Sequence, residues 1–162
     1  MSEIIIREIE VTDNAVVAKM IRAVLLELGA PKVGTAYEDK TLDVLSEVYS
    51  AERSIYFVVE LKGLVVGGAG ISQLENSKEN ICELQKMYFS PEARGKGIGT
   101  QVMQKCLNAA KNFGFEKCYL ETLPYMISAV KLYKKTGFVA LDAPLGDTGH
   151  YSCSEWMLKE LS

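Results

Sequence analysis

The sequence contains few of the residues that bind metals or form disulfides. It has a single histidine, and its cysteines, at positions 82, 106, 118 and 153, include no CxxC pair. Because zinc sites are built mainly from clustered cysteine and histidine ligands, we expect no metal site. A chain of 162 residues buries roughly 70% of the surface that it exposes when unfolded, so a hydrophobic core can stabilise it without disulfides. We therefore expect the cysteines to be reduced and mostly buried.

Long hydrophobic runs and a strong net charge are also missing. The longest apolar runs, such as Tyr56–Val59, are only a few residues long, whereas a membrane-spanning helix needs about 18. Residues Met1–Ile4 do not combine a basic region with a long apolar stretch, so we expect no secretory signal and a cytoplasmic location. With a net charge of −3, the overall electrostatic field does not favour nucleic acid. We predict neither a membrane nor a nucleic-acid partner.

The residues that are present have the composition of a soluble globular domain, with 48% apolar and 24% charged residues. Gly67, Gly68 and Gly70 indicate a bulge or a close backbone approach within one strand. The periodicity of the apolar residues predicts, in order, strand 4–11, a helix after Asp13, helix 39–51, strands 55–61, 64–74 and 81–89, a helix ending at Gly114, strand 117–122, a helix ending at Thr136, and strands 138–141 and 151–158. This order, β-α-α-β-β-β-α-β-α-β-β, predicts one α/β domain over residues 1–162, with a mixed, mostly antiparallel sheet between helices.

The most informative segment is the turn Arg94–Thr100, RGKGIGT, which follows a strand and opens a helix. Its glycines allow backbone N–H groups to converge, and the helix N-terminus adds positive charge to that of Arg94 and Lys96, so the turn is suited to hold phosphates. It fails the Rossmann pattern GxGxxG, because Thr100 stands at the third glycine, and it lacks the Walker pattern GxxxxGK. The alternative is a glycine-rich turn that binds nothing.

Residues Glu83–Gly99 resemble the acetyl-CoA-binding signature of the GNAT N-acetyltransferase superfamily. That signature is a strand, a proline-containing turn and the pattern Q/R-x-x-G-x-G/A, whose fixed positions are occupied by Arg94, Gly97 and Gly99. Residues 129–138, AVKLYKKTGF, resemble a second GNAT motif at a fitting separation from the first. The element order also resembles the family fold, so the resemblance covers nearly the whole chain.

One position departs from the family pattern. The family often has an asparagine three residues before the alanine of the second motif, and this chain has Met126 there. The hydrogen bond from that asparagine to the cofactor arm is therefore not expected here, and the fold is unaffected.

The resemblance implies an enzyme, an acetyl-CoA-dependent N-acetyltransferase that moves an acetyl group directly from the thioester to a primary amine. The co-substrate is acetyl-CoA, the acceptor is a small molecule or a peptide, and a homodimer is compatible with the family. Direct transfer is expected because no cysteine lies in a recognisable nucleophile setting. The alternatives are a non-catalytic acyl-CoA-binding or sensor domain of the same fold, and a protein-interaction module that has kept only the fold.

The resemblance also implies which residues hold the cofactor. Backbone N–H groups from about Arg94 to Thr100 surround the pyrophosphate of CoA, and the pantetheine arm pairs with the main chain of strand 81–89 like an added strand. A backbone amide near Met87 polarises the thioester carbonyl. The full predicted set is Met87, Tyr88, Phe89, Arg94, Gly95, Lys96, Gly97, Ile98, Gly99 and Thr100.

Glu83 is the candidate general base. Regular alternation along a strand places Glu83 on the same face as Met87 and Phe89, and the position matches a strand carboxylate that some GNAT enzymes use. A solvated glutamate with no catalytic role is the alternative. Glu121, near the end of the next strand, is a second carboxylate that could serve as the base or contact the acceptor.

Tyr133 is the candidate general acid, because a phenol with a pKa of about 10 can protonate a departing thiolate. Its position in the second motif supports this role, and a buried aromatic residue without chemistry is the alternative. The loops at 30–38 and 142–150 are expected to determine the acceptor, and His150 is a candidate acceptor contact at the end of the second loop.

Overall fold

The computed structural model describes residues 3–30, 32, 36–75, 77–123, 126–146 and 155–161. Within them lie β1 (Ile4–Glu8), α1 (Asn14–Glu27), α2 (Leu45–Val48), β2 (Ile55–Leu61), β3 (Leu64–Gln73), β4 (Ile81–Phe89), α3 (Ile98–Asn112), β5 (Lys117–Thr122), α4 (Ile127–Thr136), β6 (Val139–Leu141) and β7 (Glu155–Glu160). The predicted order of helices and strands is confirmed. None of the described helices is long and apolar enough to cross a membrane.

The strands form one sheet in the order β1-β2-β3-β4-β5-β7-β6. Only β4 and β5 pair in parallel among the described strands, and the other neighbours are antiparallel. The predicted mixed, mostly antiparallel sheet is therefore confirmed. Its one parallel pair lies in the middle, where the chain crosses over through α3.

Helices cover both faces of the sheet. On one face, α3 contributes its apolar stripe, including Val102 and Cys106, to a core that α4 also joins. On the other face, α1 packs Val17 and Ile21 against the sheet together with Leu45 of α2. Cys82, Cys106 and Cys118 are free and buried, as predicted, and Cys153 lies outside the described residues.

The second predicted helix, over 39–51, is shorter than expected. A 3-10 helix covers Lys40–Val44, and α2 adds a single α-helical turn. The amide of Ser46 donates to the side-chain oxygen of Asn14 at 2.9 Å instead of to a carbonyl one turn earlier. A side chain of α1 therefore takes a hydrogen bond that a regular helix would need.

Strand boundaries also differ from the predictions at both ends of the chain. β1 ends at Glu8, before the predicted Val11, because Asp13 folds back and accepts the amide hydrogen of Glu10 at 2.7 Å in a 3-10 turn. The last two strands are described over Val139–Leu141 and Glu155–Glu160. The predicted start of the last strand, at 151–154, lies outside the described residues.

Candidate active site

The sheet opens between β4 and β5. These two strands are paired at Ile81, Cys82 and Glu83, and within the described strands their pairing ends there. On its other side β5 pairs with β7 along its whole length, from Lys117 to Thr122. The second half of β4 therefore has a main-chain edge beside a gap, to which an extended group can add like a strand.

A β-bulge interrupts β4 at the start of this gap. Gly70 of β3 pairs with Gln85 and Gly68 pairs with Tyr88, so β4 carries one residue more than its partner. Lys86 accommodates the extra residue with a φ of 51°, in the left-handed region that non-glycine residues rarely occupy. The irregularity expected from the glycines of β3 is confirmed: β3 carries one extra residue against β2 beside Gly67, and β4 carries one extra residue against β3.

The aromatic ring of Tyr56 explains why β3 needs glycines here. A Cβ atom at Gly68 or Gly70 would lie within 2.7 Å of this ring, closer than any real contact. The Tyr56 hydroxyl then donates to the carbonyl oxygen of Lys86 at 2.8 Å. The ring and its hydroxyl therefore hold the bulge of β4 from β2, across the glycines of β3.

The bulge corrects the prediction that Glu83, Met87 and Phe89 share one face. An extra residue reverses the alternation of side chains beyond it. Met87 and Phe89 pack against the core that contains α3 and α4. Tyr88 packs against the core that contains α1 and α2, so its side chain lies on the same face of the sheet as Glu83 and Gln85. Glu83 and the side chains of Met87 and Phe89 therefore lie on opposite faces of the sheet.

The Glu83 carboxylate is held in a buried polar chain. Only 4% of the residue is exposed, and its Oε1 accepts a hydrogen bond from Gln85 Nε2 at 2.7 Å. Gln85 Oε1 in turn accepts from the hydroxyl of Tyr49 at 2.6 Å. Burial raises the pKa of the Tyr49 phenol well above its ordinary value, so this hydroxyl remains a donor. The structure therefore does not support a solvated position for Glu83.

The second carboxylate, Glu121, is engaged by its neighbour on β5. The hydroxyl of Tyr119 donates to Glu121 Oε2 at 2.7 Å and accepts the amide hydrogen of Leu145 at 3.1 Å. Burial, and then the hydrogen bond to Glu121, raise the pKa of the Tyr119 phenol. Tyr119 is also the register partner of Glu83, so both carboxylates belong to one face of the sheet.

The glycine-rich turn has the backbone shape expected for an anion site. Gly95 and Gly97 have φ values of 74° and 75°, which glycine adopts without strain. The amide of Gln101 donates to the carbonyl of Gly97 at 3.3 Å. The amides of Ile98, Gly99 and Thr100 precede this bond, and α-helix geometry provides them with no acceptor inside α3.

Arg94 lines the cleft, but its amide and its guanidinium both have partners within the protein. Its amide donates to the carbonyl of Pro91 at 3.2 Å, so the available backbone N–H groups begin after it. Its guanidinium forms two hydrogen bonds with the carboxylate of Glu27, at 2.6 and 2.9 Å, and also donates to the carbonyl of Phe89. These bonds raise the pKa of Arg94 and lower that of Glu27. The charge that was expected to face phosphate is paired with α1 instead.

A cleft of about 440 Å³ lies between this turn, the end of β4 and the start of α4. Predicted cofactor residues on its wall are Met87, Tyr88, Phe89, Arg94, Gly95, Gly97, Ile98 and Gly99. Lys96 and Thr100 are exposed and are not part of the wall. Gly99 lies close beneath α4, because a Cβ there would approach the Leu132 side chain to 3.1 Å.

Tyr133 also lines this cleft. The residue is buried in α4, and its ring contacts that of Phe138 edge-on with centroids 6.0 Å apart. Glu83 and Glu121 are not on the cleft wall. The structure therefore brings the predicted acid together with most of the predicted cofactor residues and leaves the two carboxylates off the cleft wall. His150 lies outside the described residues.

Some residues of the site were not predicted from the sequence. Val24 and Leu28 of α1 line the cleft, and their helical spacing indicates only a core stripe. Ser128, next to the second motif, lines it as well. Lys86 Nζ pairs with Asp39 at 3.2 Å, with only 10% of the lysine side chain exposed, and no local signal relates these two residues. Among the described residues, no three His, Cys, Asp or Glu side chains could hold a metal ion.

Comparisons with known proteins agree with this geometry. The profile of the Acetyltransferase (GNAT) family matches residues 23–138. The chain is 43% identical over 158 residues to an uncharacterized N-acetyltransferase, YjgM, of Escherichia coli K12, and the match covers 97% of this chain and 95% of that protein.

Two solved structures have the same fold. An acetyltransferase of the GNAT family from Staphylococcus aureus Mu50 superposes with a TM-score of 0.86 at 20% identity, over 99% of this chain and 100% of that one. A putative acetyltransferase from Salmonella typhimurium, solved with acetyl-CoA, superposes with a TM-score of 0.78 at 16% identity, over 98% of this chain and 94% of that one. The chain belongs to the GNAT N-acetyltransferase family, which confirms the resemblance found in its motifs.

Proposed function

We propose that this protein transfers an acetyl group from acetyl-CoA directly to a primary amine of a small molecule or peptide. The observation that carries the proposal is that one cleft combines the N-terminus of α3, the edge of β4 and Tyr133. The related Salmonella protein was solved with acetyl-CoA, which supports this ligand. We place the reaction in the cytoplasm, where buried thiols such as that of Cys82 stay reduced.

The turn before α3 fits the diphosphate of the co-substrate. Backbone N–H groups from Gly95 to Thr100 precede the first hydrogen bond of α3, and a helix N-terminus carries a partial positive charge that favours an anion. Arg94 supports this turn from behind by linking Glu27 to the carbonyl of Phe89. The main-chain amides, rather than the Arg94 side chain, are therefore proposed to hold the diphosphate.

The main chain of β4 fits the pantetheine arm and the thioester. Beyond Glu83 the β4 edge faces the gap in the sheet, so Met87 and Phe89 can pair with the arm through backbone groups. The amide of Met87 is proposed to stabilise the charge that develops on the thioester oxygen. The side chain of Met87 packs in the core and keeps the strand in place.

Glu83 and Tyr133 are proposed to act from opposite faces of the sheet. An amine with an ordinary pKa of about 10.4 must lose a proton before it attacks, and Glu83 accepts this proton, directly or through water. The new bond joins the amine nitrogen to the acetyl carbon, the carbon–sulfur bond breaks, and the second proton that the nitrogen loses as the amide forms goes to solvent, from which the Tyr133 phenol regains its own. Tyr133, from the α4 side, donates a proton to the departing thiolate.

Two measurements test this proposal. Titration calorimetry with acetyl-CoA is expected to show binding, and incubation with a panel of primary amines is expected to release free CoA thiol. A protein that binds acetyl-CoA but releases no thiol with any amine would be an acyl-CoA sensor. A protein that does not bind acetyl-CoA would contradict both functions.

A further inference from the structure

We infer that Gln85 and Tyr49 are positioning residues that hold the Glu83 carboxylate ready to take a proton from the acceptor amine. This inference rests on the proposed function, because it assumes that Glu83 is the base. The two residues come from different parts of the chain, since Tyr49 follows α2 and Gln85 lies in β4. They form one hydrogen-bonded chain that ends on Glu83.

The direction of each hydrogen bond is fixed by chemistry. Gln85 Nε2 donates to Glu83 at 2.7 Å, and Gln85 Oε1 accepts from the Tyr49 hydroxyl at 2.6 Å. The reversed amide would bring a carbonyl oxygen against a carboxylate oxygen, and neither atom has a hydrogen to share. The ionised carboxylate therefore requires this amide orientation, and the Tyr49 hydroxyl holds it by donating to Oε1.

The hydrogen bond from Gln85 matters because the Glu83 carboxylate is buried. Glu83 and Tyr49 are 4% and 5% exposed, and a buried carboxylate is destabilised in its charged form unless hydrogen bonds compensate. A donor on the charged form lowers the pKa of a carboxyl group, and the loss of that donor raises it. The Gln85 amide therefore keeps Glu83 in the state that a base requires.

Three other described polar side chains on this face have hydrogen-bond or ion-pair partners of their own. Tyr119 of β5 donates to Glu121, and Asp39, from the segment before α2, pairs with Lys86. The ring of Tyr56 contacts that of Tyr49, with centroids 5.2 Å apart, but its hydroxyl donates to the main chain of Lys86. The Gln85 amide, by contrast, donates to the Glu83 carboxylate.

The experiment measures the pKa of Glu83 directly, without an acceptor. Carbon-13 NMR of the glutamate carboxyl groups is recorded over pH, and Glu83→Gln identifies the Glu83 signal. Gln85→Met keeps the side-chain length but removes the donor, and it is expected to raise the pKa of Glu83 by about one unit. Tyr49→Phe removes only the hydroxyl, so a smaller rise of about half a unit is expected.

Tyr56→Phe is the matched control. It also removes one hydroxyl hydrogen bond from a buried tyrosine, but it removes neither hydrogen bond of the Gln85 side chain, so the Glu83 titration is expected to shift by less than in Tyr49→Phe. Gln85→Met and Tyr49→Phe are also expected to move the acid limb of the kcat/KM profile by the same amounts, with the KM for acetyl-CoA unchanged within about twofold.

The possible outcomes separate the two proposals. If Gln85→Met and Tyr49→Phe leave the Glu83 titration unchanged, or if Tyr56→Phe shifts it equally, the positioning role is wrong. If Glu83→Gln releases CoA thiol at the wild-type rate, the base assignment is wrong even when the NMR shifts occur. Loss of activity in Glu83→Gln together with both shifts supports the inference and the function on which it rests.

Discussion

At the scale of single residues, Lys86 decides which side chains of β4 face which side of the sheet. Its left-handed backbone, with φ of 51°, costs about 1–3 kcal/mol for a residue with a side chain. The hydroxyl of Tyr56 on its carbonyl and the carboxylate of Asp39 on its ammonium group offset this cost. One strained residue therefore puts Glu83 on one face of the sheet and the side chains of Met87 and Phe89 on the other.

Tyr133 gives the first test at this scale. We expect Tyr133→Phe to lower kcat at least tenfold, because the thiolate then leaves without its proton donor. The affinity for acetyl-CoA, measured by calorimetry, is expected to change little, since the ring remains in the cleft wall. Wild-type turnover in this variant would show that Tyr133 only packs there.

At the scale of elements, the two ends of α3 differ in function although both depend on glycine. Gly97 before the helix and Gly114 after it have φ values of 75° and 86°, and a Cβ atom at either position meets no other atom within 4 Å. Alanine at either site therefore strains the backbone by a similar amount, about 1–2 kcal/mol. Only Gly97 belongs to the cleft.

These two glycines provide a matched pair of variants. We expect Gly97→Ala to weaken acetyl-CoA binding at least tenfold, because the amides after it turn away from the diphosphate. Gly114→Ala is expected to lose similar stability in urea unfolding but to bind acetyl-CoA as wild type does. Equal affinities for acetyl-CoA in the two variants would contradict the proposed diphosphate site.

The junction of β1 and α1 predicts how stability depends on pH. The guanidinium of Arg7 bonds both carboxylate oxygens of Asp13, at 2.8 and 3.0 Å. Its hydrogen bonds lower the pKa of this buried carboxyl group. The stabilisation is therefore complete above the ordinary carboxyl pKa of about 4 and is lost as the pH falls through the lower value of the folded protein.

Asp13→Asn tests this dependence. We expect it to reduce the free energy of unfolding by about 2 kcal/mol at pH 7, because an ionic hydrogen-bonded pair is broken. The difference from wild type should shrink as urea unfolding is repeated at pH values below about 4. A difference that stays constant down to strongly acidic pH would show that Asp13 acts through packing alone.

At the scale of the whole molecule, local patterns in the sequence predict the order of elements and the glycine-rich turn. Apolar periodicity and glycine placement are local, so they identify α3 and its N-terminus without knowledge of the fold. The bulge is different, because Lys86 owes its conformation to Tyr56, 30 residues earlier. Arg94 and Glu27, which form an ion pair, are 67 residues apart, so no local sequence pattern predicts this pair either.

The difference between local and long-range contacts also explains which parts of the candidate site could be predicted from the sequence. The cleft residues of the turn and of β4 are predicted because they lie in contiguous motifs. The face of Glu83 is predicted wrongly because strict alternation assumes a regular strand. The chain from Tyr49 through Gln85 to Glu83 could not be predicted, since it joins segments that meet only in the folded protein.

Ligand binding provides a test on the whole molecule. At a concentration one hundred times its Kd, a ligand stabilises the folded state by about 2.7 kcal/mol, which corresponds to a rise in melting temperature of about 5–10 °C for a domain of this size. We expect this rise with acetyl-CoA but not with adenosine, which lacks the diphosphate and the pantetheine arm. Equal shifts with both compounds would place the binding energy outside the turn.

The most direct measurement is a crystal structure of the protein with acetyl-CoA. The account predicts diphosphate oxygens within about 3.2 Å of backbone nitrogens between Gly95 and Thr100, and the pantetheine arm along the β4 edge beyond Glu83. A diphosphate bound elsewhere, with these N–H groups bonded to protein atoms instead, would contradict it.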